Sequence, residues 1–327
     1  MIDRKVVLVT GGTGSFGQRF VKRILKDFHP KKVIVFSRDE LKQFEMNRMF
    51  SDDRLRFFIG DVRDYSRLRR AFDGVDIVIH AAALKQVPTC EYNPFEAVKT
   101  NIMGAQNVIN ASIDSGVSKV VALSTDKAVN PVNLYGATKL VHEKLFVNGN
   151  AYSGKHPTRF SVVRYGNVMG SRGSVVPLFV QQKKSGVLSV TDERMTRFWI
   201  TLDQGVDFVL QALKNMKGAE IFVPKIPSMR VIDLARVVSP KAKIKIMGIR
   251  PGEKLHEVLI QKDESRLTLS FNRFFAVFPE IGMFPLLGKR GGRSLPDGFE
   301  YTSDTNKEWL TDSQMRTMLI PFLEREF

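Results

Sequence analysis

The 327 residues provide enough chain for two domains of ordinary size and a well-buried core. Hydrophobic residues make up 43% and charged residues 26% of the sequence, which excludes disorder for the bulk of it. No apolar run approaches the roughly 18 residues that a membrane span needs, and the first residues contain no signal-peptide core. We therefore expect a soluble, cytoplasmic protein.

Charge and cysteine content narrow the classes of ligand. Cys90 is the single cysteine, which excludes an internal disulfide framework and a cysteine-based zinc site, and the five histidines are too scattered for a metal cluster. The net charge of +16 calls for an anionic partner. The basic residues form neither a dense tail nor an aromatic-interleaved RNA-binding motif. A small molecule that carries a diphosphate therefore fits this charge better than a nucleic acid does.

Short apolar runs alternate with amphipathic stretches through the first third of the chain and somewhat beyond. This pattern predicts an α/β fold with a doubly wound parallel sheet of the Rossmann type, covered by helices. The predicted strands are Val6–Thr10, Lys32–Phe36, Leu55–Ile59, Ile77–His80, Val120–Ser124 and Ser161–Arg164. The predicted helices are Gly14–Asp27, Arg38–Met49, Tyr65–Phe72, Glu96–Ser115 and Tyr135–Asn148.

The rhythm changes after Gly166, where loops rich in glycine, serine and proline begin. We predict a nucleotide-binding domain over 1–168, rejoined by 197–224, where a helix and a strand at Glu220–Val223 return. The smaller substrate-binding region is 169–327, mainly 169–196 and 225–327. The segment 267–296 fits no pattern and receives no function.

A glycine-rich loop follows the first predicted strand. Glycines there allow the backbone to approach a pyrophosphate at a helix N-terminus. Such a loop alone is no more than a tight turn, but its place between the first strand and the first helix predicts a dinucleotide site. The loop residues predicted to bind the dinucleotide are Gly11, Thr13, Gly14, Ser15, Phe16 and Gly17.

The second strand ends where the adenosine ribose of a dinucleotide is bound. NAD enzymes place an acid about 20 residues beyond the last loop glycine. Ser37 and Arg38 stand there instead, and an arginine suits the 2′-phosphate of NADP; Asp39 beside them leaves NAD open, and Arg38 could simply begin a helix. Asp61 and Val62 are placed to border the adenine, although Asp61 is equally suited to cap a helix.

Tyr135 and Lys139 are four residues apart, so they share one face of a predicted helix. A cation beside a phenol favours phenolate and lowers the pKa of a general base. Ser124 and Thr125 end the preceding strand. Together with the glycine loop, these residues resemble the extended short-chain dehydrogenase/reductase family, whose pattern is GxxGxxG, then serine or threonine, then YxxxK.

Asp126 and Lys127 lie between the threonine and the tyrosine. Without that family context they would be a simple surface pair. Sugar-nucleotide 4,6-dehydratases of the family that retain the C5 configuration carry Asp-Glu here, and those that invert it carry Asp-Lys. The sequence is similar to the inverting UDP-N-acetylglucosamine 4,6-dehydratases from Val6 to Arg266. The segments that carry this likeness are 37–42, 80–85, 123–128, 163–168, 195–200 and 248–257.

This resemblance implies the roles of further residues. The implied catalytic residues are Thr125, Asp126, Lys127, Tyr135 and Lys139. The implied cofactor, NADP, would also contact Lys42, Ala81, Ala82, Ala83, Lys85, Tyr135 and Lys139. The implied substrate contacts are Lys85, Thr89, Asn167, Arg197, Arg250 and Glu253. Guanidinium groups suit a diphosphate and a carboxylate suits ribose hydroxyls, although Arg250 could be only a loop cation.

The resemblance also implies a reaction without net redox. Tyr135 removes the O4 proton as hydride leaves C4, Lys127 as neutral amine removes H5, Asp126 protonates the departing C6 hydroxyl, and hydride returns to C6. Reprotonation from the opposite face, by Tyr135, inverts C5. The implied setting is the first step of pseudaminic acid biosynthesis, in a homo-oligomer that is a dimer or a hexamer.

Two other functions fit parts of the pattern. An NADP-dependent UDP-sugar 4-epimerase would share the fold, the loop, Tyr135 and Lys139, but would have no use for an acid-base pair at 126–127. A catalytically silent NADP-binding regulator would keep the glycine loop but would not need the catalytic residues Asp126, Lys127 and Tyr135.

Overall fold

The computed structural model describes residues 1–171, 173–279 and 291–323. Its strands, in chain order, are β1 (Val6–Thr10), β2 (Lys32–Ser37), β3 (Leu55–Ile59), β4 (Ile77–His80), β5 (Lys119–Leu123), β6 (Arg159–Val163), β7 (Asn167–Val168), β8 (Val187–Val190), β9 (Thr196–Ile200), β10 (Ile221–Pro224), β11 (Ser228–Arg230), β12 (Lys243–Ile246), β13 (Val258–Ile260), β14 (Thr268–Ser270), β15 (Phe274–Val277), β16 (Arg293–Ser294) and β17 (Tyr301–Thr302).

The α-helices lie mostly between these strands. They are α1 (Ser15–Asp27), α2 (Glu40–Phe50), α3 (Tyr65–Ala71), α4 (Val87–Tyr92), α5 (Pro94–Val98), α6 (Gly104–Asp114), α7 (Leu134–Tyr152), α8 (Val175–Gln182), α9 (Leu202–Asn215), α10 (Val231–Val238) and α11 (Asp312–Leu323). No helix in the described ranges combines the length and the apolarity that crossing a membrane requires.

The main sheet has the spatial order β16-β14-β15-β10-β6-β5-β4-β1-β2-β3. From β3 to β10 all neighbouring strands are parallel, which confirms the predicted doubly wound sheet. The predicted return strand is β10, which pairs with β6. Beyond β10 the pairs are antiparallel and come from the C-terminal region, so that region extends the nucleotide-binding sheet.

The strand pattern follows from burial. All residues of β4 and four of the five residues of β1 are buried, as expected for strands with helices on both faces. A second group of buried apolar side chains lies apart from the sheet core and joins α8, β9, α10 and α11. Phe179, Trp199, Leu234 and Leu319 represent these four elements in turn.

One predicted helix, Glu96–Ser115, is not continuous. The chain forms α5, then a π-helical turn at Lys99–Met103, then α6. Asn101 lies in that turn, and its side chain exchanges hydrogen bonds with the backbone of Leu84 and donates to Thr138 Oγ1. The predicted helical extent is confirmed, but the π-helical turn was not predicted, because helical periodicity carries no signal for a wide turn that brings a buried amide toward neighbouring elements.

Candidate active site

A cavity of about 1170 Å³ lies at the carboxyl ends of the parallel strands, where β1 separates β2 from β4. All predicted cofactor-binding residues line it: Gly11, Thr13, Gly14, Ser15, Phe16, Gly17, Ser37, Arg38, Asp39, Lys42, Asp61, Val62, Ala81, Ala82, Ala83, Lys85, Tyr135 and Lys139. Thr125 and Lys127 line it too. Of the predicted substrate contacts, Lys85, Asn167, Arg197, Arg250 and Glu253 belong to its wall.

Thr89 and Asp126 are placed differently. Thr89 lies on α4, its side chain is exposed, and it is not among the residues that line the cavity. Asp126 is fully buried behind the wall. The structure therefore brings Asp126 to the site through its neighbours and leaves Thr89 outside it.

The glycine loop fits a dinucleotide closely. Gly11 has φ of 65°, and a Cβ there would come within 2.9 Å of the backbone of Ala82. A Cβ at Gly17 would come within 2.5 Å of Gly12, so this glycine allows α1 to pack on the loop. Gly14 caps α1 without a side-chain hydrogen bond, which leaves the first backbone N–H groups of the helix available to an anion.

The strand end predicted to bind the adenosine contains two arginines around one carboxylate. Arg38 donates to Asp61 over 3.3 Å, and Arg63 donates to the same carboxylate over 2.7 Å. Burial opposes ionisation of Asp61, but these arginines hold its pKa below the usual value. Asp61 does not cap α3, since that cap is Asp64, whose side chain accepts from Arg67. Half of the Arg38 side chain is exposed and open to a further anion.

The acid-base pair lies on a 3-10 turn that directly follows β5. Asp126 Oδ1 accepts hydrogen bonds from Thr125 Oγ1 over 2.9 Å and from Lys127 Nζ over 3.1 Å. The Asp126 backbone N–H donates to the carbonyl of Tyr165, which anchors the turn to the end of β6. The turn thus presents Lys127 to the cavity with Asp126 beneath it.

The tyrosine–lysine pair is held at the start of α7. Asn133 caps this helix by accepting from the Gly136 N–H over 2.7 Å. A Cβ at position 136 would overlap the carbonyl oxygen of Lys127, so glycine permits α7 to approach the 3-10 turn. Lys139 Nζ donates to the carbonyl of Leu123 over 2.7 Å. The approach places the phenol, the ammonium group and the acid-base pair in one site.

The proton affinities differ from the sequence expectation in two respects. Burial raises the pKa of Tyr135 to about 12, against the opposing effects of the Lys127 charge and a hydrogen bond with Thr125. Burial lowers the pKa of Lys139 to about 7. In this structure burial outweighs the nearby charges and the cation that acts on the phenol is Lys127, so the role expected of Lys139 stays a prediction.

The protonation state of Lys127 also differs from the expected one. Burial alone would lower the pKa of Lys127, but the carboxylates of Asp126 and Glu257 outweigh burial and raise it. The ammonium form of Lys127 is thus favoured in this structure, and the expected role of the neutral amine stays a prediction. Burial and the Glu257 charge raise the pKa of Asp126, which favours the neutral acid that was expected there.

Sequence reasoning missed part of the site. Glu257, Lys254 and Tyr165 line the cavity, and the Glu257 carboxylate lies 3.3 Å from Lys127 Nζ. Glu257 stands inside the segment 248–257 that supports the family resemblance, where Glu253 was chosen instead. Spacing along the chain carries no signal for this contact, because β13 reaches the 3-10 turn only in the folded protein.

The other residues predicted to contact the substrate differ in how many of their polar atoms are still available for binding. Arg250 is 58% exposed and lies 3.9 Å from Glu253. Asn167 Oδ1 is buried without a hydrogen-bond partner among the described atoms. Every nitrogen of the Arg197 guanidinium already has a protein partner. In the described residues, no group of three or more histidine, cysteine or acidic side chains is arranged to hold a metal ion.

Comparison with known families and proteins gives consistent matches. The family model described as polysaccharide biosynthesis protein matches residues 7–279. A UDP-N-acetylglucosamine 4,6-dehydratase (inverting) of Campylobacter jejuni is 53% identical, over 96% of this chain and 97% of that protein. A UDP-glucose 4-epimerase of Rickettsia akari is 46% identical, over 81% of this chain and 80% of that protein.

Two solved structures are similar to this one. Pen from Bacillus thuringiensis superposes with a TM-score of 0.90 at 40% identity, over 98% of both chains. DesIV from Streptomyces venezuelae, a dTDP-glucose 4,6-dehydratase with NAD bound, gives a TM-score of 0.69 at 25% identity, over 76% of this chain and 86% of that chain. The expected fold class and family resemblance are thus confirmed.

Proposed function

The chain belongs to the family of polysaccharide biosynthesis proteins, and from that premise we propose that it is an inverting UDP-N-acetylglucosamine 4,6-dehydratase. One observation carries the proposal: the Asp126–Lys127 pair, Tyr135 and Lys139 meet at a single cavity beside a dinucleotide loop. The Campylobacter relative of that name covers almost the whole chain. A 4-epimerase remains the second candidate, since an epimerase of Rickettsia akari is also a close relative.

The cofactor of this proposal is NADP. A nicotinamide dinucleotide is supported by the glycine cradle at Gly11 and by the NAD named with DesIV. The preference for a 2′-phosphate rests on Ser37 and on the half-exposed guanidinium of Arg38. The chemistry that a bound nicotinamide supplies is reversible hydride transfer, taken from C4 of the hexose and returned to C6.

The protein's own residues move the protons. Tyr135 takes the O4 proton as C4 is oxidised, and Thr125 and the Lys127 charge stabilise the phenolate that this step needs. The C4 ketone acidifies H5, so loss of H5 and of the C6 hydroxyl removes one water. Asp126, held toward its neutral form, is the acid for the departing hydroxyl. A proton that passes from Lys127 to the Asp126 carboxylate, which accepts from it over 3.1 Å, leaves a Lys127 amine to take H5 and an Asp126 acid to protonate the departing hydroxyl. Tyr135 then gives the O4 proton to C5 from the opposite face, which inverts that centre.

The substrate would lie across the part of the cavity formed by 167–197 and 250–257. Lys85 and Arg250 supply exposed cations for the diphosphate, and Asn167 and Glu253 supply polar groups for sugar and ribose hydroxyls. Arg197 is better suited to support the site than to bind the diphosphate, because its donors are already used. Consistent with the resemblance, we assign the reaction to the first step of pseudaminic acid biosynthesis in the cytoplasm.

Proton NMR of the purified protein with UDP-N-acetylglucosamine in deuterated water tests the proposal. The first product should be the 4-keto-6-deoxy sugar nucleotide of L-arabino configuration with deuterium at C5, and Tyr135→Phe should abolish its formation. The spectra must be recorded early, because slow nonenzymatic epimerisation later changes the C5 configuration of the product. A D-xylo product would contradict inversion, accumulation of the C4 epimer would favour the epimerase, and absence of turnover would favour a silent binding protein.

A further inference from the structure

Glu257 is a buried acid of the cavity wall for which the reaction as described has no role. It immediately precedes β13 and is 2% exposed. Its backbone is fixed on both sides by Ser303: the Glu257 N–H donates to Ser303 Oγ over 2.9 Å, and the Ser303 N–H donates to the Glu257 carbonyl over 2.8 Å. The side chain is therefore held by the C-terminal part of the chain.

The Glu257 carboxylate joins two cations from other elements. Its Oε1 lies 3.3 Å from Lys127 Nζ, on the 3-10 turn after β5, and 3.5 Å from Arg197 Nε, on β9. Its Oε2 is buried and has no hydrogen-bond partner among the described residues. Lys127 Nζ thus contacts two acids, since Asp126 Oδ1 lies 3.1 Å from it.

Arg197 stabilises the position of Glu257 through hydrogen bonds to the backbone that precedes it. Its Nη1 donates to the carbonyls of Thr196 and Leu255, and its Nη2 donates to the carbonyl of Lys254. These bonds connect β9 to the segment that leads into Glu257. The guanidinium therefore fixes both the backbone and the carboxylate of the same segment, which leaves Glu257 little freedom to leave Lys127.

More cations than acids surround Glu257. Lys127, Arg197 and Lys254 face it as cations, and they hold the pKa of Glu257 below its usual value although burial opposes this. Asp126 is the other acid of the cluster, and the Glu257 charge raises its pKa. Removal of the Glu257 charge would leave a desolvated Lys127 with one carboxylate in place of two.

We propose that Glu257 is a positioning residue for the C5 and C6 steps, because its carboxylate and that of Asp126 together fix the Lys127 ammonium group at the cavity wall. The inference rests on the proposed dehydratase function. It predicts that C4 oxidation, in which Lys127 contributes only its charge near Tyr135, depends on Glu257 much less than the C5 and C6 steps do. The two halves of the reaction should therefore separate when Glu257 is changed.

Glu257→Gln keeps the shape of the side chain and removes its charge. We expect kcat to fall about 100-fold, as for a displaced catalytic group, with KM for UDP-N-acetylglucosamine within about threefold of the wild type. In a single turnover the near-ultraviolet absorbance of reduced nicotinamide should accumulate, and deuterium incorporation at C5 should be lost. Glu257→Asp, which restores the charge, should recover part of kcat.

Glu300→Gln is the matched control. Glu300 pairs with Lys262 over 3.8 Å, with a third of its side chain exposed and away from the cavity wall, so this variant should behave as the wild type. Equal slowing of C4 oxidation and of elimination in Glu257→Gln would overturn the proposal, because a purely structural loss affects both. Unchanged kcat in that variant would overturn it as well.

A second measurement does not depend on turnover. NMR of ¹³C-labelled lysine, with the Lys127 signal identified by its absence in Lys127→Met, reports the pKa of Lys127 directly. Glu257→Gln should lower that pKa by about one pH unit or more, and Glu257→Asp should lower it less. An unchanged Lys127 pKa would refute the contact. If the wild type turns over no UDP-N-acetylglucosamine, the function proposal fails while this titration still judges the Glu257–Lys127 pair.

Discussion

Arg38 shows how one residue at a strand end sets cofactor choice. Its guanidinium keeps one ion pair with Asp61 and remains half exposed, so it can bind a second anion without losing the first. The tight turn at Gly11 and the capping Gly14 serve any dinucleotide, and they therefore do not distinguish NADP from NAD.

Arg38→Ala should weaken binding of NADP⁺ by about tenfold or more, because a charge-assisted contact with the 2′-phosphate is lost. Binding of NAD⁺ should change by less than about twofold. Isothermal titration of both cofactors against the wild type and the variant measures this difference. An equal loss for both cofactors would show that Arg38 acts only through Asp61 and the local fold.

Lys139 makes stability depend on pH. Its pKa of about 7 in the fold lies below the value of about 10.4 for an unfolded lysine, so the unfolded chain binds more protons between these values and stability rises with pH there. Lys139→Met should thus gain stability relative to the wild type by a few kcal/mol at pH 7, and the gain should vanish toward pH 10. Urea unfolding at several pH values measures it.

The matched control for Lys139→Met is Lys155→Met, at an exposed position. The stability difference between this control and the wild type should not vary with pH. A pH-independent difference in Lys139→Met would mean that burial does not suppress the charge of Lys139 in the fold.

Among the elements, the contact between α7 and the 3-10 turn after β5 determines the catalytic geometry. Gly136→Ala places a methyl group on the carbonyl of Lys127, so α7 must move away from the turn. We expect kcat to fall about 100-fold, because a shift near 1 Å separates Tyr135 from the acid-base pair. Steady-state kinetics with UDP-N-acetylglucosamine measures this effect.

Gly205→Ala is the comparison for that variant. Gly205 lies in α9, and a Cβ there would meet nothing within 4 Å. This change should leave kcat unaltered and raise stability by up to about 1 kcal/mol through helix propensity. Similar kinetics for the two variants would show that the close approach of α7 is not needed.

The sequence predicts regular elements much better than contacts between distant segments. The predicted strand Val6–Thr10 coincides with β1, because burial on both faces gives a continuous apolar run. The π-helical turn around Asn101 was not predicted, since its cause is a hydrogen bond to Thr138 far along the chain. The link from Glu257 to Lys127 and the charge state of Lys127 depend on folding in the same way.

At the scale of the whole molecule, two large apolar side chains stand out. Tyr92 is 88% exposed and Phe95 is 77% exposed, close together in sequence at the junction of α4 and α5. Exposed apolar side chains that lie together, as these do around one shallow pocket, mark protein interaction sites, whereas a single exposed one does not. We expect this surface to join copies of the chain in the homo-oligomer that the family resemblance implies.

Light scattering of the purified protein measures the assembly. The wild type should have the mass of a dimer or a hexamer, and the double variant Tyr92→Ser with Phe95→Ser should have a lower mass. Tyr152→Ser, at another exposed aromatic residue that is 81% exposed, is the control and should leave the mass unchanged. A monomeric wild type, or an unchanged mass in the double variant, would contradict the proposed surface.

Arg164 forms ion pairs with two glutamates, and one of them is synthesised long after it. Glu143 precedes it by 21 residues, whereas Glu264 follows 100 residues later and supplies two of the oxygens around the guanidinium. A nascent chain that stops before Glu257 has the dinucleotide loop and Tyr135, but lacks both the acid that contacts Lys127 and the second acidic partner of Arg164. We therefore expect the sugar chemistry to need two acids that are synthesised long after the dinucleotide loop.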